Sequence, residues 1–310
     1  MASLYNYACI ATAIVILVFL LSGVTYSTAK AQTEQPASQH SLSEPFDILI
    51  KNGRILDGTG NPWYYADIGI TGDKIAWIGK SGKVSAEIVV DAAGLYVSPG
   101  FIDVHSHAAA GLSSESLSHG QPLLAQGITT VVVNPDGGGS TDIAGQRKAL
   151  EEHGLGVNVM QLVPHGTIRR EVIGTENRRP SESELEQMKS IVENGMQEGA
   201  FGLSSGLFYT PGAYAETEEV IELAKIAARY NGVYSSHIRD ESDYDVGLVA
   251  SVDEVIRIAE EAELPGIVSH IKALGTGVWG YSSAVINRIE RARDEGIEVF
   301  ADQYPYPASS

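Results

Sequence analysis

From Phe46 to about Val97 apolar and polar residues alternate in short runs, Asp47-Ile-Leu-Ile-Lys51, Ala66-Asp-Ile-Gly-Ile-Thr71 and Lys74-Ile-Ala-Trp-Ile78, separated by Gly-rich segments. A period of two is the mark of a half-buried strand, so this stretch predicts antiparallel strands, with Gly72-Asp73 closing the last pair as a tight hairpin. After Pro99 the pattern changes. Apolar runs of strand length alternate with amphipathic stretches of helical period, as in a parallel sheet with crossover helices. The strand candidates are Phe101 to Val104, Ile128 to Val133, Val157 to Val163, Ala200 to Leu207, Gly232 to Ser236, Gly266 to Ser269 and Ile297 to Ala301. Two capping boxes, Ser181-Glu-Ser-Glu184 and Ser251-Val-Asp-Glu254, mark helix starts between them. Seven strands are one short of a closed (β/α)8 barrel, and roughly 210 residues follow Pro99 where a typical barrel takes about 250. The expected fold is α/β, an incomplete (β/α)8 TIM-type barrel over residues 99–310 preceded by a small β unit over 46–98.

The two ends read differently. Ala8 to Val24 is an uncharged apolar run, and Ala29-Lys30-Ala31 supplies the small-x-small pattern of signal cleavage, so residues 1–31 read as an export signal cut after Ala31. No Lys or Arg precedes the run, and an uncleaved membrane anchor is the alternative. Either way the protein is expected to be exported, to a periplasm or beyond. Residues 32–45 are polar and without periodicity, a disordered linker. At the other end, Asp302-Gln-Tyr-Pro-Tyr-Pro-Ala-Ser-Ser310 leaves the seventh strand as a loop with no helix to cover it, and we expect the reading frame to be truncated before an eighth strand.

Composition narrows the functional classes. With 310 residues and 44% hydrophobic content the chain can bury a substantial core, while 39 acidic against 21 basic residues, net −18, offer no positive surface for nucleic acid. The one cysteine, Cys9, lies in the export segment, so disulfides and thiolate ligands are excluded from the mature chain.

The candidate chemistry is histidine chemistry. His105-Ser-His107 follows the run Phe-Ile-Asp-Val, and strand alternation puts both imidazoles on one face at its C-terminal end, the mouth of a βα barrel. His237 and His270 end apolar runs in similar settings, Tyr234-Ser-Ser-His-Ile-Arg239 and Val268-Ser-His-Ile-Lys272, 33 positions apart. That is about one strand-helix-strand unit, so these rings too should stand on neighbouring strands at one height. Four imidazoles at equivalent strand ends suit zinc or a neighbouring divalent first-row metal, one ion or two.

The segment Pro99-Gly-Phe-Ile-Asp-Val-His-Ser-His107 resembles the first-strand signature of the amidohydrolase superfamily, and His237 and His270 match its fifth- and sixth-strand ligands. Gly202-Leu-Ser-Ser-Gly-Leu-Phe-Tyr-Thr-Pro-Gly212, Ser236-His-Ile-Arg-Asp-Glu241, Ser269-His-Ile-Lys272 and Asp302-Gln-Tyr-Pro-Tyr306 are similar to one branch, the N-acyl-D-amino-acid deacylases (D-aminoacylases). The resemblance covers the chain from about Phe46 onward. It implies a barrel with a small β-sandwich built from both chain ends, of which the N-terminal part is present here. The family's cysteine after the second strand is replaced by Asp136, in Asn134-Pro-Asp-Gly-Gly-Gly139; this carboxylate is either a metal ligand or the maker of an Asx turn. The family's eighth-strand aspartate, a metal ligand and proton acceptor, would lie beyond Ser310, so the catalytic base is unknown and this chain by itself is expected to be inactive.

Further correspondences follow from the resemblance. Tyr209, Lys272, Tyr304 and Ser310 match substrate-contacting positions, and His165 reads as a partner to the ligands or to an oxyanion. The expected activity is metal-dependent hydrolysis of a linear amide, N-acyl-D-amino acid to carboxylate plus D-amino acid. Two alternatives stay open: a cyclic amide or imide hydrolase of the dihydroorotase-like branch, and a catalytically incomplete metal-binding fragment. Against the first, Ser204 and Ser205 stand where that branch carries a bridging lysine. The expected partner is a small N-acylated amino acid, with a membrane involved only if the N-terminal segment is retained.

Overall fold

The computed structural model describes residues 44–306 and Ala308. The export segment, nearly all of the expected linker and Ser310 lie outside the described residues. The chain divides after Pro99 into two compact units.

The first unit is one mixed sheet of five strands, β1 (Phe46–Ile55), β2 (Tyr64–Thr71), β3 (Lys74–Gly79), β4 (Ala86–Asp91) and β5 (Tyr96–Val97). The three runs read from alternation pair antiparallel as expected, and Gly72, at φ +60°, turns the β2–β3 hairpin. The expectation of antiparallel pairing holds only that far. The path β3-β2-β1-β4 carries the chain across the sheet to the far side of β1, where β4 and then β5 lie parallel to it. Gly69 has a specific reason to be glycine: a Cβ there would stand 2.5 Å from the ring of Phe46, a fully buried residue.

The second unit is an α/β fold whose seven parallel strands follow one another in chain order, as in a barrel that has not closed. They are β6 (Phe101–Asp103), β7 (Ile128–Val133), β8 (Asn158–Pro164), β9 (Gly202–Gly206), β10 (Val233–His237), β11 (Gly266–Val268) and β12 (Val299–Ala301), each within a few residues of its sequence-based position. Apolar continuity goes with burial on both faces, as in Val131, Val132 and Val133 of β7; β9 is buried at all five positions too, but reads Gly-Leu-Ser-Ser-Gly. Eight helices connect or flank them among the described residues: α1 (Ala109–Leu112), α2 (Gln121–Leu124), α3 (Ile143–Glu151), α4 (His165–Val172), α5 (Glu182–Gln197), α6 (Thr217–Ala228), α7 (Leu248–Ala262) and α8 (Ser282–Asp294). The main core joins the inner faces of α5, α6 and α7, through Met188, Val192, Val220, Leu223, Val252 and Ile258, to the strands beneath them.

One of the two capping boxes is real. The Ser181 hydroxyl accepts from Glu184 N at 3.3 Å, and the Glu184 carboxylate accepts from Ser181 N at 2.7 Å, opening α5. Ser181→Ala should cost about 1 kcal/mol, read as a lower urea midpoint at unchanged slope. The other expected start is corrected by the structure. Helix α7 begins at Leu248, after Gly247, and Ser251 lies inside its first turn. Its hydroxyl donates to Gly247 O and accepts from Asp240 N, so it ties a loop to the helix instead of capping it.

Candidate metal centre

The strand ends carry the site. Regular pairing of β6 stops at Asp103, yet Ser106 N still donates to Val132 O at 2.9 Å, so the chain keeps running beside β7. Alternation therefore persists one step past the strand. Ser106 is buried, while His105 and His107 both turn toward Asp136, with Nε2 at 3.3 and 3.1 Å from its Oδ2. His237 is the last residue of β10, and His270 lies two past β11 with φ +37°, a backbone unusual for any residue but glycine. Its N–H donates to Asp302 Oδ1 at 2.7 Å, which holds it there. These two rings approach the other oxygen: Asp136 Oδ1 lies 3.7 Å from His237 Nδ1 and 3.4 Å from His270 Nε2.

Asp136 is placed by a turn in which Asn134, Asp136 and Gly137 all have positive φ. The turn closes through the backbone, Gly138 N to Pro135 O, so the side chain is not needed to make it. Ser204 on β9 braces it from below, its hydroxyl donating to Asn134 O at 2.6 Å and accepting from Gly137 N at 3.3 Å. Close approach of β9 needs glycine at 206, where a Cβ would stand 2.2 Å from Asp136 O.

Two groups of three ligand atoms result, His105-His107-Asp136 and Asp136-His237-His270, sharing the one carboxylate. This is a binuclear metal-binding site built from His and Asp, and its residues fit divalent cations on a structural ground. Both ring nitrogens of His105, Nδ1 of His237 and Oδ1 of Asp136 are buried without a hydrogen-bond partner. Buried polar atoms are rarely left so, and ions seated at the two groups would partner His105 Nε2, His237 Nδ1 and Asp136 Oδ1, each imidazole giving one nitrogen.

The electrostatics agree. Burial pulls the Asp136 carboxyl upward, but the imidazoles of His105, His237 and His270 outweigh it and hold the group far below the ordinary carboxylate range. Burial disfavours the charged form of His270, yet Asp136 and Glu241 prevail and the ring is pushed up to about 9. Metal and protons thus compete for the same nitrogens, and loading should release protons.

The centre opens into a cavity of about 610 Å³, into which Tyr209, Lys272 and Tyr304 also face. The Tyr209 ring lies 4.6 Å from that of His237, and the Lys272 ammonium sits 5.4 Å from the centre of the Tyr304 ring. Ser310, the remaining substrate position, is outside the described residues. His165 does not line this cavity. It is fully buried at the start of α4, with Nε2 2.8 Å from Glu219 Oε1, and its helix meets the Asp136 turn through Thr167 N donating to Gly137 O.

Two carboxylates escaped the sequence reading. Glu241 is buried, accepts from Lys272 Nζ and lies 3.0 Å from His270 Nδ1. Asp302 lines the cavity, holds His270 N and keeps Oδ2 buried and unpartnered, and burial raises its carboxyl above the usual range. Each sits at a strand end within a run singled out above, Ser236 to Glu241 and Asp302 to Tyr306; position relative to the strands was the signal available.

Residues 88–304 match the Amidohydrolase family. D-aminoacylase of Alcaligenes xylosoxydans xylosoxydans is 36% identical over 293 residues, covering 87% of this chain and 59% of that protein. The solved N-acyl-D-glutamate deacylase of Bordetella bronchiseptica, bound to zinc and a phosphonate mimic of the tetrahedral intermediate, superimposes with a TM-score of 0.78 at 35% identity, over 85% of this chain and 59% of that one. A D-aminoacylase structure described for its binuclear metal centre gives the same TM-score at 32% identity, over 84% and 59% of the two chains. The present chain thus spans 59% of the length of each of these relatives.

Proposed function

Since this chain belongs to the amidohydrolase family, on its D-aminoacylase and N-acyl-D-amino-acid deacylase branch, we propose that it is the metal-binding part of a hydrolase that splits N-acyl-D-amino acids into a carboxylate and a D-amino acid. The observation that carries the reading is Asp136 standing between two histidine pairs, one carboxylate oxygen toward each, at the C-terminal ends of the strands. Divalent ions held there supply Lewis acidity, to the amide carbonyl and to water at neutral pH.

The side chains of this chain do the rest. Lys272 presents a cation at the cavity wall for the carboxylate of the substrate, with the hydroxyls of Tyr209 and Tyr304 on the same cavity as further donors. Burial and the nearby Asp136 and Glu241 charges keep the Tyr209 phenol protonated by raising it, so it donates at neutral pH. Asp136 and the four imidazoles bring their donor atoms together at the strand ends, in two groups that share the carboxylate. Ser204 braces the Asp136 turn and Ser205 meets the Tyr234 hydroxyl, so neither position of β9 carries a bridging lysine, which favours the linear amide over the cyclic one.

Release of free amine from N-acetyl-D-amino acids, with the L-enantiomers as controls, tests the reading in the chain extended through the eighth strand that carries the family's aspartate. Activity should vanish on dialysis against a chelator and return with zinc; hydrolysis undiminished in metal-free protein would defeat it. Lys272→Met should raise KM for carboxylate-bearing substrates roughly 10- to 100-fold, the worth of one charge-assisted hydrogen bond, with a smaller change in kcat.

A further inference from the structure

His270 can serve an ion through Nε2 only if that nitrogen carries no proton. In the neutral ring the proton must then sit on Nδ1 and needs an acceptor. Two groups compete for Nδ1. Lys272 Nζ lies 2.9 Å away and Glu241 Oε1 3.0 Å away, and the ammonium and the carboxylate also bond each other at 2.5 Å. An ammonium has donors only. If it alone faced Nδ1, that nitrogen would have to accept, the ring proton would move to Nε2, and the atom aimed at Asp136 Oδ1 would cease to be a ligand.

We infer that Glu241 is a positioning residue which fixes His270 as the Nδ1–H tautomer and draws the Lys272 ammonium away from that nitrogen. It is suited to this by burial and by its place four residues beyond His237, on the loop that leaves β10. The two halves of the centre consequently differ in what they depend on. The half made by Asp136, His237 and His270 requires Glu241; the half made by His105, His107 and Asp136 does not. Lys272, needed for the substrate, is a hazard to the ligand beside it, and Glu241 makes the two compatible. This rests on the metal-centre reading, and the experiment separates the two.

The full chain is stripped of metal and titrated with zinc against a competing chelator, with bound metal counted by mass spectrometry. Wild type and Lys272→Met should each bind two ions, and His270→Ala one; two ions in His270→Ala would sink the metal reading itself. Glu241→Leu should weaken the second ion about 10- to 100-fold, the usual effect of losing such a partner, and leave the first intact, which also reports that the fold survives. The deciding variant is Glu241→Leu with Lys272→Met, which should recover about tenfold or more of that loss because no ammonium remains to claim Nδ1. An unaltered second ion in Glu241→Leu overturns the inference, as does a double variant no tighter than Glu241→Leu. Should Glu241→Leu lose the first ion as well, Glu241→Met, which also has no acceptor for Nδ1–H, and its Lys272→Met double variant replace it, and there too an unaltered second ion or a double variant no tighter than the single one overturns the inference.

Discussion

Asp136→Ala is expected to empty both halves of the metal centre together, whereas His107→Ala should weaken only one. The difference follows from the shared carboxylate, since Oδ2 faces His105 and His107 while Oδ1 faces His237 and His270. With the ions gone, the electrophilic assistance they give, several kcal/mol, disappears, and in the chain extended through the eighth strand the hydrolytic rate should fall by roughly 10³-fold or more. Metal content and turnover measured on the same preparation check this. An Asp136→Ala protein that still holds two ions with wild-type affinity would show that the four imidazoles suffice without the carboxylate.

The second large effect concerns stability. Arg169 is wholly buried, and its charge is met by Glu219, itself buried, with His165 on the other carboxylate oxygen and Arg178 O on Nη2 at 2.7 Å. Glu219→Ala leaves the guanidinium buried without its counter-charge, a loss of about 3–5 kcal/mol. At about 2–4 °C per kcal/mol for a unit of this size, the melting temperature should drop by roughly 6–20 °C. A drop of a degree or two would mean that solvent reaches Arg169 after all. The pH dependence has a fixed sign. Burial alone would raise the Glu219 carboxyl, but His165 and Arg169 hold it below its ordinary value of 4.5. The folded state therefore gains stability from it above about pH 4.5 and loses that share as the pH falls through the depressed folded value. The difference between wild type and Glu219→Ala should accordingly be full at neutral pH and shrink in the acid range.

The legible parts of the chain were those governed by local periodicity. Apolar runs such as Ile128–Val133 are strands because both their faces are buried, and the histidines that close them share a height because parallel strands in sequential order share a register. Even His105-Ser-His107, which lies past the regular strand, keeps the strand's alternation because Ser106 remains bonded to β7. What stayed hidden depends on partners far away in sequence. Glu241 gains its role from His270 and Lys272, Asp302 from the backbone of His270, and Glu219 from Arg169, 50 residues earlier. No spacing rule announces such meetings. Ser251 misled for a related reason: its Ser-x-x-Glu pattern fits a cap, but Leu248 is buried on one face with Val252, and that packing carries the helix start back to Leu248.

Gly206 makes the strand beneath the centre and the carboxylate within it a single object. Any side chain at 206 would run into the main-chain oxygen of Asp136, and one at 137 would stand 2.8 Å from Gly206 N, at φ +69°. Drift at either position cannot be absorbed as ordinary loop variation. A library randomised at both should return glycine among its metal-binding members, so the reactive centre constrains how the scaffold under it can diverge.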